Sequence, residues 1–292
     1  MNAQLRETVV ITGAAAGVGR AAARAFARRG ARIGLLARGR ERLEAARREI
    51  EDLGGEAIAL PVDVSSAEQV ENAADAVEKA FGPIDIWVND AMVTVFSPLK
   101  DMTPQEFERV TEVTYLGTVY GTMAALKRMV PRNHGTVVQV SSAMAFRGIP
   151  LQAAYCGAKH GIKGFTESVR TELIHDRSRV HVTMVHLPGM NTPQFEWARS
   201  RLAHYPQPVP PIYQPEVAAQ TVVWAAHHRR REVFVTGTSL KVVWGNRFMP
   251  GVLDRYLGRI GYKAQQTGGS ADHRSDNLFD PAPGDPGAHG PY

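Results

Sequence analysis

The chain has 292 residues, of which 44% are hydrophobic and 22% are charged. These fractions are close to those of ordinary globular proteins, and they argue against a largely disordered chain and against an integral membrane protein. A single cysteine, Cys156, excludes an intramolecular disulfide and any zinc site built from several cysteines.

The formal net charge is +5, which is compatible with a nucleic-acid partner or with a phosphate-bearing cofactor. No helix-turn-helix or RNA-binding signature accompanies the charge, and a cluster of arginines follows the second predicted strand, next to the nucleotide motif described below. They are Arg38, Arg40, Arg42, Arg47 and Arg48. The charge therefore favours a cofactor, and no nucleic-acid partner is expected.

The opening segment, Met1–Thr8, is short and polar, and it leaves no room for the three regions of a secretory signal peptide. No apolar run reaches the roughly 18 residues that suggest a transmembrane helix. We therefore expect a cytoplasmic protein. The ten histidines show no spacing typical of a metal site, so no metal is expected either.

In chain order, apolar runs alternate with amphipathic stretches, which is typical of a parallel sheet covered on both faces by helices. The predicted strands are Thr8–Thr12, Arg32–Ala37, Ala57–Val62, Ile84–Asn89, Gly135–Ser141, His181–Leu187 and Glu232–Val235. The predicted helices are Gly19–Arg29, Arg40–Leu53, Ala67–Phe81, Pro104–Val130, Ala153–His175 and Pro215–His228. This order predicts an α/β fold, a Rossmann-like, doubly wound parallel sheet of seven strands in a single domain.

The same pattern divides the chain into segments. Residues 1–240 are predicted to form the catalytic domain, and within it the proline-rich and aromatic stretch near 190–214 predicts a substrate lid. Residues 241–264 predict a C-terminal amphipathic extension. Residues 265–292 lack apolar periodicity and predict a disordered tail.

A glycine-rich run, Thr12–Gly19, lies directly between the first predicted strand and the first predicted helix. Glycines at such a turn let the backbone approach a pyrophosphate, which then lies at the positive end of the helix. An ordinary strand-to-helix turn is the competing interpretation. The spacing, with three residues between Gly13 and Gly17 and one between Gly17 and Gly19, resembles the TGxxxGxG motif of the short-chain dehydrogenase/reductase (SDR) family.

Cofactor choice is indicated by the end of the second predicted strand. An acidic side chain there binds the ribose 2′-OH of NAD, whereas an arginine accommodates the 2′-phosphate of NADP. Here Ala37 is followed by Arg38, so NADP(H) is preferred over NAD(H), although a solvent-exposed arginine of a basic helix remains the alternative. Asp63 matches the family position that contacts adenine, and Val64 follows it.

The catalytic prediction rests on three side chains. Tyr155 and Lys159 lie four residues apart, so a helix places them on the same face, and a lysine cation can lower the pKa of a phenol. Ser142 follows the fifth predicted strand, where its hydroxyl can reach the same substrate oxygen. Together with the glycine motif, these residues make the chain from about Thr8 to Val235 similar to the SDR family.

The resemblance implies specific roles. Tyr155 would exchange a proton with the substrate oxygen, Lys159 would assist it and bind the nicotinamide ribose, and Ser142 would orient the substrate. The segment Leu187–Thr192 resembles the loop on the nicotinamide side. The cofactor-binding residues implied are Gly13, Ala15, Gly17, Val18, Gly19, Arg38, Asp63, Val64, Asn89, Ala91, Tyr155, Lys159, Pro188, Gly189, Met190 and Thr192.

Two segments depart from the family pattern. After the fourth strand the family has Asn-Asn-Ala-Gly, whereas this chain has Asn89, Asp90, Ala91 and Met92. On the long fifth helix an asparagine usually completes a proton relay, and the aligned residue here is Thr114. A threonine hydroxyl is shorter and cannot offer both functions of an amide, so an altered relay is expected.

We therefore expect hydride transfer between NADP(H) and a carbonyl or secondary alcohol, with a homodimer or homotetramer as the assembly. Apolar residues around the expected site favour a hydrophobic substrate: Val95, Phe96, Met144, Phe146, Met190 and Phe195. The alternative is a dinucleotide-binding regulatory or scaffold protein with little turnover, suggested by Thr114 and Asp90.

The stretch 250–262 carries an apolar helical stripe of Val252, Leu253, Tyr256, Leu257 and Ile260. Packing on its own domain or on a partner subunit is favoured for this stripe over contact with a membrane surface.

Overall fold

The computed structural model describes residues 6–270 and 275–292. The strands are β1 (Thr8–Thr12), β2 (Arg32–Ala37), β3 (Glu56–Pro61), β4 (Ile86–Asn89), β5 (Val95–Phe96), β6 (Thr136–Ser142), β7 (His181–Leu187), β8 (Gly189–Met190), β9 (Arg199–Ser200), β10 (His204–Pro206), β11 (Ile212–Tyr213), β12 (Glu232–Phe234) and β13 (Gln266–Ser270). The helices are α1 (Gly17–Ala27), α2 (Arg40–Asp52), α3 (Ala67–Phe81), α4 (Pro104–Val110), α5 (Gly117–Arg132), α6 (Ala153–His175), α7 (Gln194–Trp197), α8 (Pro215–His227), α9 (Gly237–Phe248) and α10 (Pro250–Ala264).

Seven of the strands form one parallel sheet in the order β12-β7-β6-β4-β1-β2-β3, which confirms the predicted Rossmann-like α/β fold. The strand order reverses between β1 and β4. In open α/β sheets a crevice forms at the carboxyl ends of the strands where this reversal occurs, and ligands bind there. The short strands pair with each other outside the sheet, at the edge where the crevice lies.

The central strands of the sheet, β1, β4, β6 and β7, are buried on both faces, and they are largely apolar without alternation, as is typical of parallel strands. One core lies under α1, α2 and α8 and includes Ile11 and Phe26. The other lies under α3, α5 and α6 and includes Val10 and Trp87. Together the two cores hold the strand ends in fixed positions around the crevice.

The predicted helix Pro104–Val130 is divided in the structure. A capping box of Thr103 and Glu106 starts α4, and a wider π-helical turn, Thr111–Leu116, separates α4 from α5. Apolar periodicity does not reveal a local change in hydrogen-bond register, which is why the sequence predicts one helix. Such turns occur frequently at functional sites.

The C-terminal extension consists of α9 and α10, which pack against each other. The predicted stripe of α10 is split between two environments. Leu253 and Leu257 are half-buried, whereas Val252, Tyr256 and Ile260 are exposed. Across the described ranges 6–270 and 275–292, no helix has the length and apolar character needed to cross a membrane.

The C-terminal segment differs from the expected disordered tail. Residues 266–270 form β13 and pair with β10, and residues 275–292 lie across the carboxyl edge of the sheet. Leu278 and Ala288 are buried and belong to the two cores. The few apolar residues of the segment anchor it, and arginines of the domain bind its backbone carbonyls. Amino-acid composition does not reveal either kind of contact, which is why the sequence predicts disorder. Residues 271–274 of the predicted tail lie outside the described residues.

Candidate active site

A cavity of about 400 Å³ opens at the carboxyl ends of the strands, between the glycine-rich loop after β1 and the first turns of α6. The predicted residues on its wall are Gly13, Ala15, Gly17, Val18, Arg38, Asp63, Val64, Ala91, Ser142, Tyr155, Lys159, Pro188, Gly189, Met190 and Thr192. The structure therefore gathers most of the predicted cofactor and catalytic residues around one space.

The glycine-rich loop meets the strict backbone requirements of its position. Gly13 has φ +74°, and a Cβ atom there would lie 2.9 Å from the backbone of Ala91. Gly17 has φ +55° and begins α1, so its N–H belongs to the positive end of that helix. Gly19 lies inside α1 behind the wall, where a Cβ atom would meet the carbonyl oxygen of Gly13 at 2.4 Å. The loop thus forms a close, positively polarised cradle that fits a pyrophosphate.

Asn89, like Gly19 a predicted cofactor residue, lies behind the cavity wall. Its amide accepts from the indole of Trp87 at 2.9 Å and donates to Gln139 at 2.9 Å and Thr122 at 3.2 Å. All four side chains lie between the sheet and α5. Asn89 therefore braces β4 and does not reach the cavity wall.

At the end of β2, Arg38 points along the cavity wall, and no carboxylate occupies the neighbouring position of Ala37. Asp63 forms an ion pair with Arg109 and accepts from Ser65, and these contacts hold the pKa of its carboxyl below the usual value despite burial. The charge on this side of the cavity is thus mainly that of arginines.

The three catalytic candidates converge at the other end of the cavity. Ser142 ends β6, and its hydroxyl bonds to that of Tyr155 in the first turn of α6. One turn later, Lys159 donates to the carbonyl of Val140 at 2.8 Å, and its Nζ lies 5.6 Å from the centroid of the Tyr155 ring. This geometry presents two hydroxyls and an ammonium to one point on the wall.

The sequence predicts that Lys159 lowers the pKa of Tyr155, whereas in the structure this pKa is raised. Burial raises the pKa of the phenol, the hydrogen bond from Ser142 opposes that rise, and the carboxylate of Asp90 adds to it. Burial also lowers the pKa of Lys159. In the protein by itself the proton is therefore held firmly on Tyr155, as suits a group that donates a proton to a carbonyl oxygen.

Asp90 is a charged group at the site that the sequence reasoning noted only as a departure. Its carboxylate accepts from the N–H of Gly19 and interacts with Lys159, and burial raises its pKa. The substitution of aspartate for the family's second asparagine is the signal that points to it. Asp90 thus places a titratable group between the glycine loop and Lys159.

Thr114 lies in the π-helical turn and is fully buried. Its hydroxyl donates to the carbonyl of Val93 at 3.0 Å and accepts from the N–H of the same residue at 3.2 Å. One hydroxyl is thus both donor and acceptor here, and both of its hydrogen bonds go to Val93, so the altered proton relay stays a prediction. Thr114 fixes the loop after β4, while its neighbour Val113 lines the cavity.

The substrate side of the cavity is apolar but differs in part from the predicted set. Met144, Met190 and Phe195 line it, and Phe96 lies behind Phe195 with the ring centroids 5.9 Å apart. Val95 is likewise buried behind the wall, and Phe146 packs on His186 and Phe234. Sequence reasoning missed four residues that also line the cavity: Ile149 and Gln152 before α6, Trp197 of α7 and Val242 of α9.

Comparison with known proteins agrees with this geometry. Residues 7–202 match the family model described as short chain dehydrogenase. The chain is 33% identical over 280 residues to an uncharacterized oxidoreductase, YxnA, of Bacillus subtilis, which covers 94% of this chain and 78% of the relative. It is 34% identical over 255 residues to 3beta-hydroxysteroid dehydrogenase 1 of Eggerthella lenta, with 84% of this chain and 95% of the relative covered.

Solved structures give the same result. A metagenomic short-chain oxidoreductase in complex with NADP superposes with a TM-score of 0.65 at 30% identity, covering 78% of this chain and 96% of its own. An alcohol dehydrogenase from the archaeon Thermococcus sibiricus, complexed with 5-hydroxy-NADP, superposes with a TM-score of 0.67 at 27% identity, covering 78% and 95%.

Proposed function

Because this chain belongs to the short-chain dehydrogenase/reductase family, we propose that it transfers hydride between NADP(H) and an apolar ketone, aldehyde or secondary alcohol. It is an NAD(P)-dependent oxidoreductase. The observation that carries the finer proposal is the cavity itself, which joins a glycine cradle and Arg38 at one end to Ser142, Tyr155 and Lys159 at the other.

In this proposal the dinucleotide is held by the Gly13–Gly19 loop, Arg38 and Lys159, and when bound it supplies or accepts the hydride. Ser142 donates a hydrogen bond to the substrate oxygen and fixes its position. In reduction, Tyr155 gives the phenolic proton to that oxygen, and in oxidation it takes the proton back. Burial keeps this proton on Tyr155 until a substrate oxygen accepts it, and the cation of Lys159 stabilises the phenolate that results.

The preference for NADP(H) is supported by Arg38 and by the absence of an acidic side chain at Ala37. A guanidinium forms strong, charge-assisted hydrogen bonds with a phosphate, whereas a carboxylate would repel it. Two similar solved proteins were complexed with NADP or a derivative of it.

An apolar substrate is supported by Met144, Met190 and Phe195 on the cavity wall. One relative is a 3beta-hydroxysteroid dehydrogenase, and a steroid alcohol is a secondary alcohol on an apolar frame. The regulatory or scaffold alternative is not favoured, because Ser142, Tyr155 and Lys159 are all present and in place.

We further propose a homodimer or homotetramer in the cytoplasm. Large apolar side chains on α5 and α6 are exposed, with Met123 at 61% and Ile174 at 75% of their full area. Such exposure is unfavourable in water and is relieved by a subunit contact. Light scattering on the purified chain, compared with a Met123→Ser, Ile174→Ser variant, tests this assembly.

The proposed function is tested by the turnover of a panel of apolar ketones and aldehydes with NADPH and with NADH. We expect turnover of at least one apolar carbonyl, with the lower KM for NADPH. Turnover with NADH alone would overturn the cofactor preference, and binding of either dinucleotide without turnover of any compound would favour the scaffold.

A further inference from the structure

The C-terminal segment, residues 275–292, uses the same protein groups that the cofactor needs. At the end of β2, the two terminal nitrogens of Arg38 donate to the carbonyl oxygens of Asn277, Leu278 and Phe279. Both nitrogens that would bind a 2′-phosphate are therefore engaged by backbone.

The contacts continue along the glycine cradle. Arg42 donates to the carbonyls of Pro283 and Gly284, and the N–H of Gly17 donates to the carbonyl of Gly287 at 3.3 Å. This N–H stands at the start of α1, where a pyrophosphate would lie. The segment thus presents carbonyl oxygens at the points where the cofactor would present phosphate oxygens.

An ion pair anchors the middle of the segment to the domain. The guanidinium of Arg20, itself buried in α1, bonds to both carboxylate oxygens of Asp285 and also pairs with Glu49. These contacts hold the pKa of Asp285 below its usual value in spite of partial burial. The anchor is therefore ionised at neutral pH.

At the nicotinamide side the segment reaches the loop after β7. The N–H of Gly290 donates to the carbonyl of Asn191 at 3.2 Å, and the N–H of Tyr292 donates to the side chain of Asn191 at 3.0 Å. A Cβ atom at Gly290 would lie 2.5 Å from the carbonyl of Thr192, so the approach is close.

We infer that the cofactor groove has a second ligand, an extended peptide, and that residues 275–292 of this chain are that ligand and compete with the dinucleotide. The inference rests on the proposed function, because it takes Arg38 and the N–H of Gly17 as phosphate-binding groups. A phosphate carries full charge and a carbonyl only a dipole, so NADP(H) displaces the segment, at a cost in apparent affinity.

The size of that cost follows from the docked population. The apparent Kd equals the intrinsic Kd divided by the fraction of molecules whose groove is open, so a segment docked about nine-tenths of the time weakens binding about tenfold. Removing the segment should therefore tighten NADPH binding by about that factor.

The test compares the full chain with a chain that ends at Ser270, which keeps β13. NADPH and NADH are titrated by fluorescence or calorimetry, with thermal unfolding of both proteins as a check. Tighter NADPH binding by the shortened chain supports the inference. Equal or weaker binding overturns it and identifies the segment as a cover over the bound cofactor or as packing alone. If neither chain binds either dinucleotide, the proposed function fails instead.

A point variant keeps the test valid if the shortened chain does not fold. Asp285→Asn breaks the anchor and should lower the apparent Kd of NADPH, whereas Asp52→Asn, an equal charge change at the exposed last residue of α2, should leave it nearly unchanged. Equal Kd values for Asp285→Asn and the parent would contradict the inference. A synthetic peptide of residues 275–292 should inhibit the shortened chain competitively with NADPH and not with the carbonyl.

A second and independent observation concerns the outer surface of α9 and α10. Leu240, Trp244 and Phe248 are spaced four residues apart on α9 and are exposed, the last two at 57% and 69%. Val252, Tyr256 and Ile260 repeat this spacing on α10. Each helix thus presents an exposed apolar stripe.

The two stripes point away from the domain. Asn246 on α9 bonds to Arg147 and to the carbonyl of Phe146, and Gly261 on α10 is buried against Pro150, which places those two residues on the inner side. Trp244, two residues from Asn246, lies about 200° around its helix, and Tyr256, five residues from Gly261, lies about 140° around its own, so both face outward.

Cations flank the stripes, namely the exposed Lys241, Arg247, Arg255, Arg259 and Lys263. A symmetric contact between two copies would bring these like charges together, which disfavours self-association through this face. Aromatic side chains ringed by lysine and arginine match the boundary of an anionic lipid bilayer.

We propose that this outer face of α9 and α10 binds the surface of an anionic membrane. Sedimentation of the full chain with vesicles of phosphatidylcholine and phosphatidylserine tests it, with pure phosphatidylcholine as comparison. The parent should sediment with the anionic vesicles, the double variant Trp244→Ser, Phe248→Ser should lose most of that binding, and Leu53→Ser, at an exposed residue directly after α2, should retain it. No binding to anionic vesicles at low salt, or equal binding by the Trp244→Ser, Phe248→Ser variant, overturns the proposal.

Discussion

At one end of the cavity Ser142, Tyr155 and Lys159 stand on β6 and α6, and their positions follow from strand and helix geometry alone. At the other end Arg38 and Gly17 contact a segment that lies some 240 to 270 residues further along the chain. In our proposal the catalytic end is thus built from neighbouring elements, whereas the phosphate end is shared between the cofactor and part of the protein itself. Changes at the first end should act on the chemical step, and changes at the second on cofactor affinity.

The largest effect is expected for Tyr155→Phe, which removes the exchangeable proton and leaves the ring. Turnover should fall about a hundredfold to ten-thousandfold, the usual contribution of a general acid, while NADPH binding is kept. Steady-state rates and NADPH titration check this, with Tyr120→Phe on α5 as the matched control. Near-normal turnover would remove Tyr155 from the mechanism.

Arg38→Ala should change affinity and not chemistry. Loss of a hydrogen-bonding partner of a charged phosphate costs about 1.5–3 kcal/mol, roughly a tenfold to hundredfold rise in the Kd of NADPH. NADH has no 2′-phosphate, and the same variant also releases Asn277, Leu278 and Phe279 from their bonds with Arg38. The Kd of NADH should therefore stay equal or fall. Titrations of both dinucleotides, with the exposed Arg40→Ala as control, measure the difference. Parallel losses for the two would show that Arg38 serves structure alone.

Thr114→Val should act on stability. The variant leaves the buried N–H and carbonyl of Val93 without their partner, which costs about 1–3 kcal/mol in the free energy of unfolding. Thr114→Ser retains the hydroxyl and should recover most of that loss. Urea unfolding of the two variants measures these differences in the free energy of unfolding. An unchanged stability of Thr114→Val would mean that the loop after β4 is held by other contacts.

The smallest effect is expected for Asp90→Asn, which restores the family's asparagine at this position. Its effect should appear in the pH dependence of the reaction rate. The carboxylate of Asp90 raises the pKa of Tyr155 and supports the cation of Lys159, so its removal lowers the pKa of both groups. Reduction requires a protonated Tyr155 and is lost as the pH rises through its pKa. The high-pH limb of the rate of reduction should therefore move to lower pH. A shift to higher pH would contradict the assigned charge coupling.

The contrast between the two ends also explains what the sequence can predict. Apolar runs and the spacings of Gly13, Gly17, Tyr155 and Lys159 are local patterns, and they predicted the sheet and the residues of the catalytic end. The double role of the Thr114 hydroxyl depends on how close Val93 lies in the folded chain. The spacing of residues along the sequence does not give that distance.

The C-terminal segment escaped prediction for a different reason. Few of its side chains are apolar, and it is held by its backbone carbonyls and by the ion pair of Asp285 with Arg20. Patterns of side-chain hydropathy do not record such contacts, so a polar composition predicts disorder even where the chain is bound.

The central claim is that hydride passes directly between the nicotinamide and a carbonyl carbon beside Tyr155. It is tested most directly by reducing an apolar ketone with NADPH that carries deuterium at C4 in either of the two stereochemical positions, and by analysing the alcohol by mass spectrometry. The account predicts that one labelled cofactor gives an alcohol heavier by one deuterium and that the other gives unlabelled alcohol. Alcohol without deuterium from both cofactors would contradict direct hydride transfer.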